Sequence, residues 1–431
     1  MNIGIIAASR LRAPAIRPFI IEVDTTKFGS ASDAFEFKLA NGNYDVVAKQ
    51  NGTVVQIFND LIGQETITFL NGSGIYVLEI TPKTTDGFDY IGFNNSGDKS
   101  KILDTKQWGE VNWNSFSRSF RGCNNMEVSA IDSPDLSNVT NMLQMFSGAI
   151  SANPFVTNWD VSNVNIFKEM FSGCALFNRG LNSWDISNST NIEGIFLNAE
   201  SFNQTLHSWN TSSIDSMKEM FKGAEAFNQN LNTWNTSNVI NMDSMFFGAS
   251  SFNSAISNWD VSKVTNMSRM FFRASKFNSD LSNWDVSKVT DMFQMFYEVY
   301  DFNSDLSNWD VSSVTNMAFM FKDAKYFDQD ISTWSTSNVT TMAWMFYNAS
   351  RFNSDISNWD VSKVTNMSNM LQGSNLSTAN LTLIYENWSQ LSLQQNVSFS
   401  AGNTKYNASG QAGRDILENT YNWDITDGGQ V

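Results

Sequence analysis

The chain has 431 residues, 42% of them hydrophobic, with 27 Lys and Arg against 43 Asp and Glu and a net charge of −16. That balance disfavours nucleic acid and anionic membranes as partners, because both attract basic surfaces. No apolar run reaches the roughly 18 residues that a membrane-spanning helix needs.

In residues 1–17 a short apolar stretch, Ile3–Ala8, is followed by Arg10, Arg12 and Arg17. A secretory leader has the opposite order, so an N-terminal arm of the mature chain is expected. Residues 18–86 hold short strand-like runs such as Phe19–Val23, Tyr44–Lys49 and Gly74–Thr81, punctuated by Asn41-Gly42, Asn51-Gly52 and Asn71-Gly72. Such pairs favour tight turns, and the segment reads as a small all-β sandwich, Ig-like. Residues 87–133 read as a transition and first coil.

From 134 to 375 a tryptophan returns every 25 residues, at Trp159, Trp184, Trp209, Trp234, Trp259, Trp284, Trp309, Trp334 and Trp359. A fixed period of this length marks a solenoid of stacked coils, here about eleven. Around Trp284 the pattern alternates, with Asn283 out, Trp284 in, Asp285 out and Val286 in, which predicts a short half-buried strand. Met267, Met270, Phe271 and Ala274 then follow helical spacing, with Thr265 or Asn266 as N-cap. A parallel strand plus a short helix per coil predicts an α/β-type repeat solenoid, leucine-rich-repeat-like. The alternative is a parallel β-helix; Met and Ala, weak strand formers, favour the helix. An asparagine row from Asn178 to Asn353, with Asp328 substituting once, predicts a side-chain ladder that satisfies turn backbone between coils. The repeat fades at Met370-Leu371, so residues 376–431 are expected to cap the last coil, using Leu381, Ile384, Trp388, Ala412, Leu417, Tyr421 and Trp423.

Catalytic signals are sparse. The one histidine, His207, stands in an ordinary coil. Cys123 and Cys174 occupy small-residue slots two rungs apart, roughly 10 Å at the usual strand spacing and beyond the reach of about 7 Å for a disulfide. Both are expected to be buried free thiols, and no enzyme activity is predicted. The outward carboxylates Asp160, Asp185, Asp260, Asp285, Asp310 and Asp360 lie beside Ser162, Ser187, Ser262, Ser287, Ser312 and Ser362. This polar strip is either a solvated face or the candidate ligand-binding surface. No cofactor is expected; Ca²⁺ bridging the Asp row is the one metal alternative.

The coil W-D-V-S-N/K-V-T-N-M-x-x-M-F-x-x-A-x-x-F-N resembles the BspA-like leucine-rich bacterial surface-protein repeat, also described as the Mycoplasma lipoprotein-associated repeat. The resemblance covers about residues 88–431. Phe93–Lys99 and Gln107-Trp108-Gly109 resemble its opening segment. Ala412-Gly413-Arg414-Asp415 and Tyr421–Gly429 resemble its close. It implies surface display and adhesion to a host surface protein or glycan, with no binding residues to transfer. Similar repeats also occur in bacteriophage structural proteins, so a virion surface is the companion expectation to an extracellular or cell-surface location. Residues 1–86 would then dock on other virion or envelope proteins, with a homo-oligomer as an option. The function expected is thus non-enzymatic attachment. The alternatives are a purely structural virion component and a polysaccharide-degrading spike.

Overall fold

The computed structural model describes residues 16–431. The arm expected over residues 1–17 lies outside the described residues except for Ile16 and Arg17. Arg17 is tied by an ion pair of 2.8 Å to Glu110.

The N-terminal part is built from β1 (Phe19–Asp24), β2 (Ala34–Glu36), β3 (Leu39–Ala40), β4 (Asn43–Gln50), β5 (Thr53–Ile62), β6 (Thr66–Thr68), β7 (Ile75–Pro82), β8 (Tyr90–Ile91), β9 (Ile102–Gln107) and β10 (Glu127–Val128). Six of these form one sheet in the order β10-β9-β1-β7-β4-β5. Alternating side chains of β1, β4 and β7 are buried, as a sheet packed on one face requires. The ribbons β2–β6 and β3–β8 add Phe35, Ile67, Leu39 and Ile91 to the same buried cluster as the sheet. Phe37 meets Tyr44 edge-on at 5.7 Å, and Phe69 stacks on Tyr76 at 3.8 Å. Asp98 and Lys101, both fully buried, pin the surrounding loop. The Asp98 carboxylate accepts from Ser30 and Glu36 N–H groups, and the Lys101 ammonium donates to the Ala31 and Ala34 carbonyls.

β10 joins β9 in parallel, and from there the chain winds into stacked coils of 25 residues. A single buried apolar cluster runs from β1 through every coil to the cap. Within it the indoles form an internal column: Trp209, Trp234, Trp259 and Trp284 stack at 6.3 to 6.4 Å with rings within 8° of parallel. Two phenylalanine columns run alongside. Phe271 and Phe277 stack at 3.9 Å within one coil, and Phe271 lies 5.7 Å from Phe296 of the next.

The coil backbone corrects the expected architecture. No coil contains a helix; the α-helices of the described residues are α1 (Thr378–Trp388) and α2 (Gln411–Asn419), both in the cap. An α/β, leucine-rich-repeat-like solenoid with one helix per coil is therefore ruled out. In the Met-x-x-Met-Phe stretch, Met292, Gln294, Phe296 and Glu298 donate their N–H groups to Asn316, Ala318, Met320 and Lys322 of the next coil. The intervening Met295, Tyr297 and Val299 donate three residues back. The stretch is thus a run of consecutive turns zipped to the next coil. Gln294 and Glu298 sit in the left-handed region, with φ of 57° and 54°, which no α-helix tolerates.

The predicted strand around tryptophan is likewise two turns. Trp284 N–H bonds to Leu281 O and Val289 N–H to Val286 O. The in–out alternation is real, but the parallel ladder runs through the Met-Phe stretch instead. Asn266, read as a helix N-cap, uses its side-chain oxygen to accept from Ser268 N–H at 2.9 Å, which caps a turn.

Two side-chain ladders add to the backbone one. Each indole from Trp184 to Trp359 donates Nε1–H to a carbonyl 28 residues earlier, as in Trp284 to Ile256 O at 3.2 Å. Each Asn-row oxygen accepts the N–H of the same position one coil on, except that Asn353 accepts from Ser377, one residue short of it. The series is unbroken from Asn153 to Ser377 and passes through Asp328, because only an acceptor oxygen is required. Cys123 and Cys174 are buried free thiols, and burial pushes both pKa values up.

At the far end β11 (Ser398–Ser400) takes the place of a further coil. Met367 and Leu371 donate to Ser398 O and Ser400 O, and β12 (Asp424–Thr426) pairs with β11 in parallel. α1 buries Leu381, Ile384, Tyr385 and Trp388, and Tyr385 and Trp388 meet Phe399 of β11 edge-on at 6.4 and 5.6 Å. α2 closes on α1 at Gly413, where a Cβ would meet Tyr385 O at 2.1 Å. Asp427, hydrogen-bonded by Tyr385 Oη and Arg414 Nε at 2.7 Å each, locks the arrangement.

Candidate binding face

The predicted Asp/Ser strip is present as an outward face, with Asp160, Asp185, Asp260, Asp285 and Asp310 exposed and Asp360 half-buried. One oxygen of each carboxylate is committed locally. The Oδ1 atoms of Asp160, Asp185, Asp260, Asp285, Asp310 and Asp360 accept the N–H of Ser162, Ser187, Ser262, Ser287, Ser312 and Ser362 at 2.9 to 3.2 Å. Asn210 and Asn235 make the same bond to Ser212 and Ser237, so an uncharged acceptor serves the position as well as a carboxylate. Hydrogen bonds from the paired serines, side chain first, hold Asp160, Asp185, Asp260 and Asp310 below the usual carboxylate pKa. Wherever Asp gives way to Asn or Ser, the following Val or Ile becomes a buried Thr. Thr211, Thr236 and Thr336 donate to the Asn235, Asp260 and Asp360 carbonyls of the next coil. The strip is thus a row of turn caps. Among the described residues no three His, Cys, Asp or Glu side chains are placed to hold a metal ion. His207 is exposed, and its Nδ1 lies 2.9 Å from Thr205 Oγ1.

A second face lies over the backbone ladder. In each coil the buried Met and Phe alternate with outward pairs, such as Phe293-Gln294 and Tyr297-Glu298, and a corner, Tyr300-Asp301. The inward rows repeat from coil to coil, whereas these outward positions change along the array. Between residues 168 and 251 they are mostly charged or small, with Lys168 paired to Glu193 at 2.8 Å and Lys218 to Asp243 at 3.3 Å.

From residue 247 the face turns aromatic. Phe247, Phe272 and Tyr297 stack at 4.3 and 4.5 Å, nearly parallel. Lys322 continues the row, its ammonium 4.6 Å from the Tyr297 ring centre and 5.2 Å from that of Tyr347. Burial works against the Lys322 charge, but Asp323 and the Tyr297 hydroxyl outweigh it and raise the pKa. A parallel row runs from Arg269 over Phe293 to Phe319 and Trp344, with centre distances of 4.9, 5.8 and 5.9 Å. At the corner Lys325 covers Tyr300 and Arg351 covers Tyr326, at 5.0 and 4.3 Å.

The inward aromatic rows stand out from the sequence by their strict repeat, whereas this face does not. The signal was available: aromatic residues at 272, 293, 297, 319, 344 and 347 stand where the coils between residues 168 and 244 carry Ser, Leu, Lys, Asp, Glu or Gly.

No curated protein matches the chain. One family profile matches three times, over residues 114–234, 205–309 and 280–388, so that together the matches span the coil array up to α1. The family is described as Mycoplasma protein of unknown function, DUF285, and the chain belongs to it.

Proposed function

We propose that this chain is a non-enzymatic recognition protein, displayed on a cell surface, whose coil array holds a binding face toward a macromolecular partner. One observation carries the reading: the outward ladder positions vary along an otherwise uniform array and collect aromatic and basic side chains from residue 247 on. Repeat proteins bind through such positions, because the stacked core leaves them free to change. Trp, Tyr and Arg are also the residues that dominate binding energy at interfaces. The likeness of the repeat to BspA-like surface repeats supports attachment to a host surface protein or glycan as the role.

The full chain, labelled and added to host cells, is expected to bind saturably. Trp344→Ala and Tyr297→Ala are expected to weaken binding, while Asp285→Asn leaves it unchanged. Absence of binding, or binding indifferent to both faces, would leave a spacer role. Fractionation then fixes the setting, since intact chain in purified virions and chain on a cell envelope are distinct outcomes.

A further inference from the structure

The ladder face is polarised. From residue 268 to 351 its outward positions and corner hold six Lys or Arg and three acids, within a chain of net charge −16. Arg269, Lys325 and Arg351 make no ion pair among the described residues. Each is parked on an aromatic ring, at 4.9, 5.0 and 4.3 Å from the centre of Phe293, Tyr300 and Tyr326. The Arg269 Nε donates to Gln294 Oε1 at 3.1 Å, which leaves its terminal nitrogens open. A guanidinium held this way is preoriented for two-pronged bonding to a carboxylate.

The rings add to the same polarity. Phe247, Phe272 and Tyr297 stack face to face along the array, so what they leave to solvent is ring edge, narrowly so at Phe272, which is 9% exposed. The edge of an aromatic ring carries partial positive charge. In this stack each ring face is covered by the next ring or by Lys222 or Lys322, so a base cannot stack there, and stacking is what single-stranded nucleic acids require. The same closure denies a pyranose ring a platform.

We infer that this half of the ladder face, centred on Arg269, Tyr297, Lys322 and Trp344, binds an acidic protein surface, the carboxylates meeting the ring-parked cations and apolar side chains meeting the ring edges. The inference rests on the recognition role proposed above and assigns the chemistry of the partner.

The probe is a random copolymer of glutamate and tyrosine, compared with heparin and an oligo-dT strand, on the full chain at about 0.15 M salt, where only close charge contacts survive screening. The copolymer is expected to bind at least about tenfold more tightly than the other two. The combined Arg269→Ala, Lys325→Ala and Arg351→Ala variant, and separately Trp344→Ala, are expected to lose at least about tenfold, the usual scale for an interface anchor. Ellipticity and melting confirm that each variant folds. Absence of copolymer binding, equal binding of heparin or oligo-dT, or an unaffected triple variant overturns the assignment. If host-cell binding still depends on Trp344 in that case, the acidic-protein assignment is wrong and the recognition role stands. If cell binding is absent or ignores Trp344, the recognition role fails as well.

Discussion

The indole column offers a test in which one chemical change has opposite signs at two positions. Trp284 Nε1–H donates to Ile256 O at 3.2 Å, a carbonyl that also accepts the Trp259 N–H of its own turn. Trp159 occupies the equivalent slot, but its Nε1–H is buried without a partner. Its ring packs edge-on against Trp108 at 5.5 Å. Replacing either residue with 3-benzothienylalanine keeps the ring shape and removes only the N–H. At 284 this deletes one hydrogen bond and leaves the carbonyl half-satisfied, costing about 0.5–1.5 kcal/mol. At 159 it removes a buried orphan donor, which stabilises by about 1–3 kcal/mol. Stacked repeats need not unfold in one step, so native-state hydrogen exchange suits better than a global melt. Amides of Met267 and Phe271, which donate to the coil of Trp284, and of Met142 and Phe146, which donate to the coil of Trp159, are the reporters. A change of about 1 kcal/mol shifts their exchange about fivefold. Equal shifts of the same sign at both sites would refute the role given to the indole N–H.

Other expectations follow from the same geometry. Asp285→Asn is expected to leave stability within about 0.5 kcal/mol, and Asp285→Ala to cost about 1 kcal/mol in urea unfolding, the range for a lost cap; equal effects would restore a role for the charge. Folding lowers the pKa of Asp160, Asp185, Asp260 and Asp310. Their contribution is therefore complete above the unfolded value of about 3.9 and is lost as pH falls through the lower folded values. Changing all four to Asn is expected to flatten the drop in stability below about pH 4, and an unchanged acid limb counts against this. Gln294, at φ 57°, is expected to tolerate Gly nearly neutrally, as Gly194 shows in the same row. Gln294→Val is expected to cost about 1–2 kcal/mol or more from the left-handed backbone, read as a lower melting temperature. Asp427→Asn weakens the bonds from Arg414 and Tyr385 in the cap. It is expected to speed exchange of the Leu371 and Ala401 amides at least about tenfold, for a loss of about 1.4 kcal/mol or more, while the Met142 amide is unaffected.

The site was legible in part. The exposure of the Asp/Ser row follows from its position beside the buried Trp and Val, and the structure keeps it outward. What the carboxylates bond to could not be read from the row, because a turn closes on the residue two further along only once its backbone direction is set. The aromatic face was visible as departures from a repeat position, yet Phe272, Tyr297 and Trp344 could equally have filled a core. Their outward placement depends on which four positions of the Met-Phe stretch point away from it.

The sequence by itself determined the 25-residue period, the buried Trp, Phe and Met rows, the Asn ladder and the need for a cap, because each follows from which side chains must leave water and which must replace lost hydrogen bonds. Only the tertiary structure decided the backbone of the coil. Inward positions at 292, 295, 296 and 299 suit an α-helix and a chain of left-handed turns equally well. What separates them is whether the amides of Met292, Gln294 and Phe296 bond within the coil or to the next one. Stacking supplies carbonyls at every second residue, and those bonds hold non-glycine residues such as Arg269, Phe319 and Trp344 at positive φ, a conformation that local propensity would not predict.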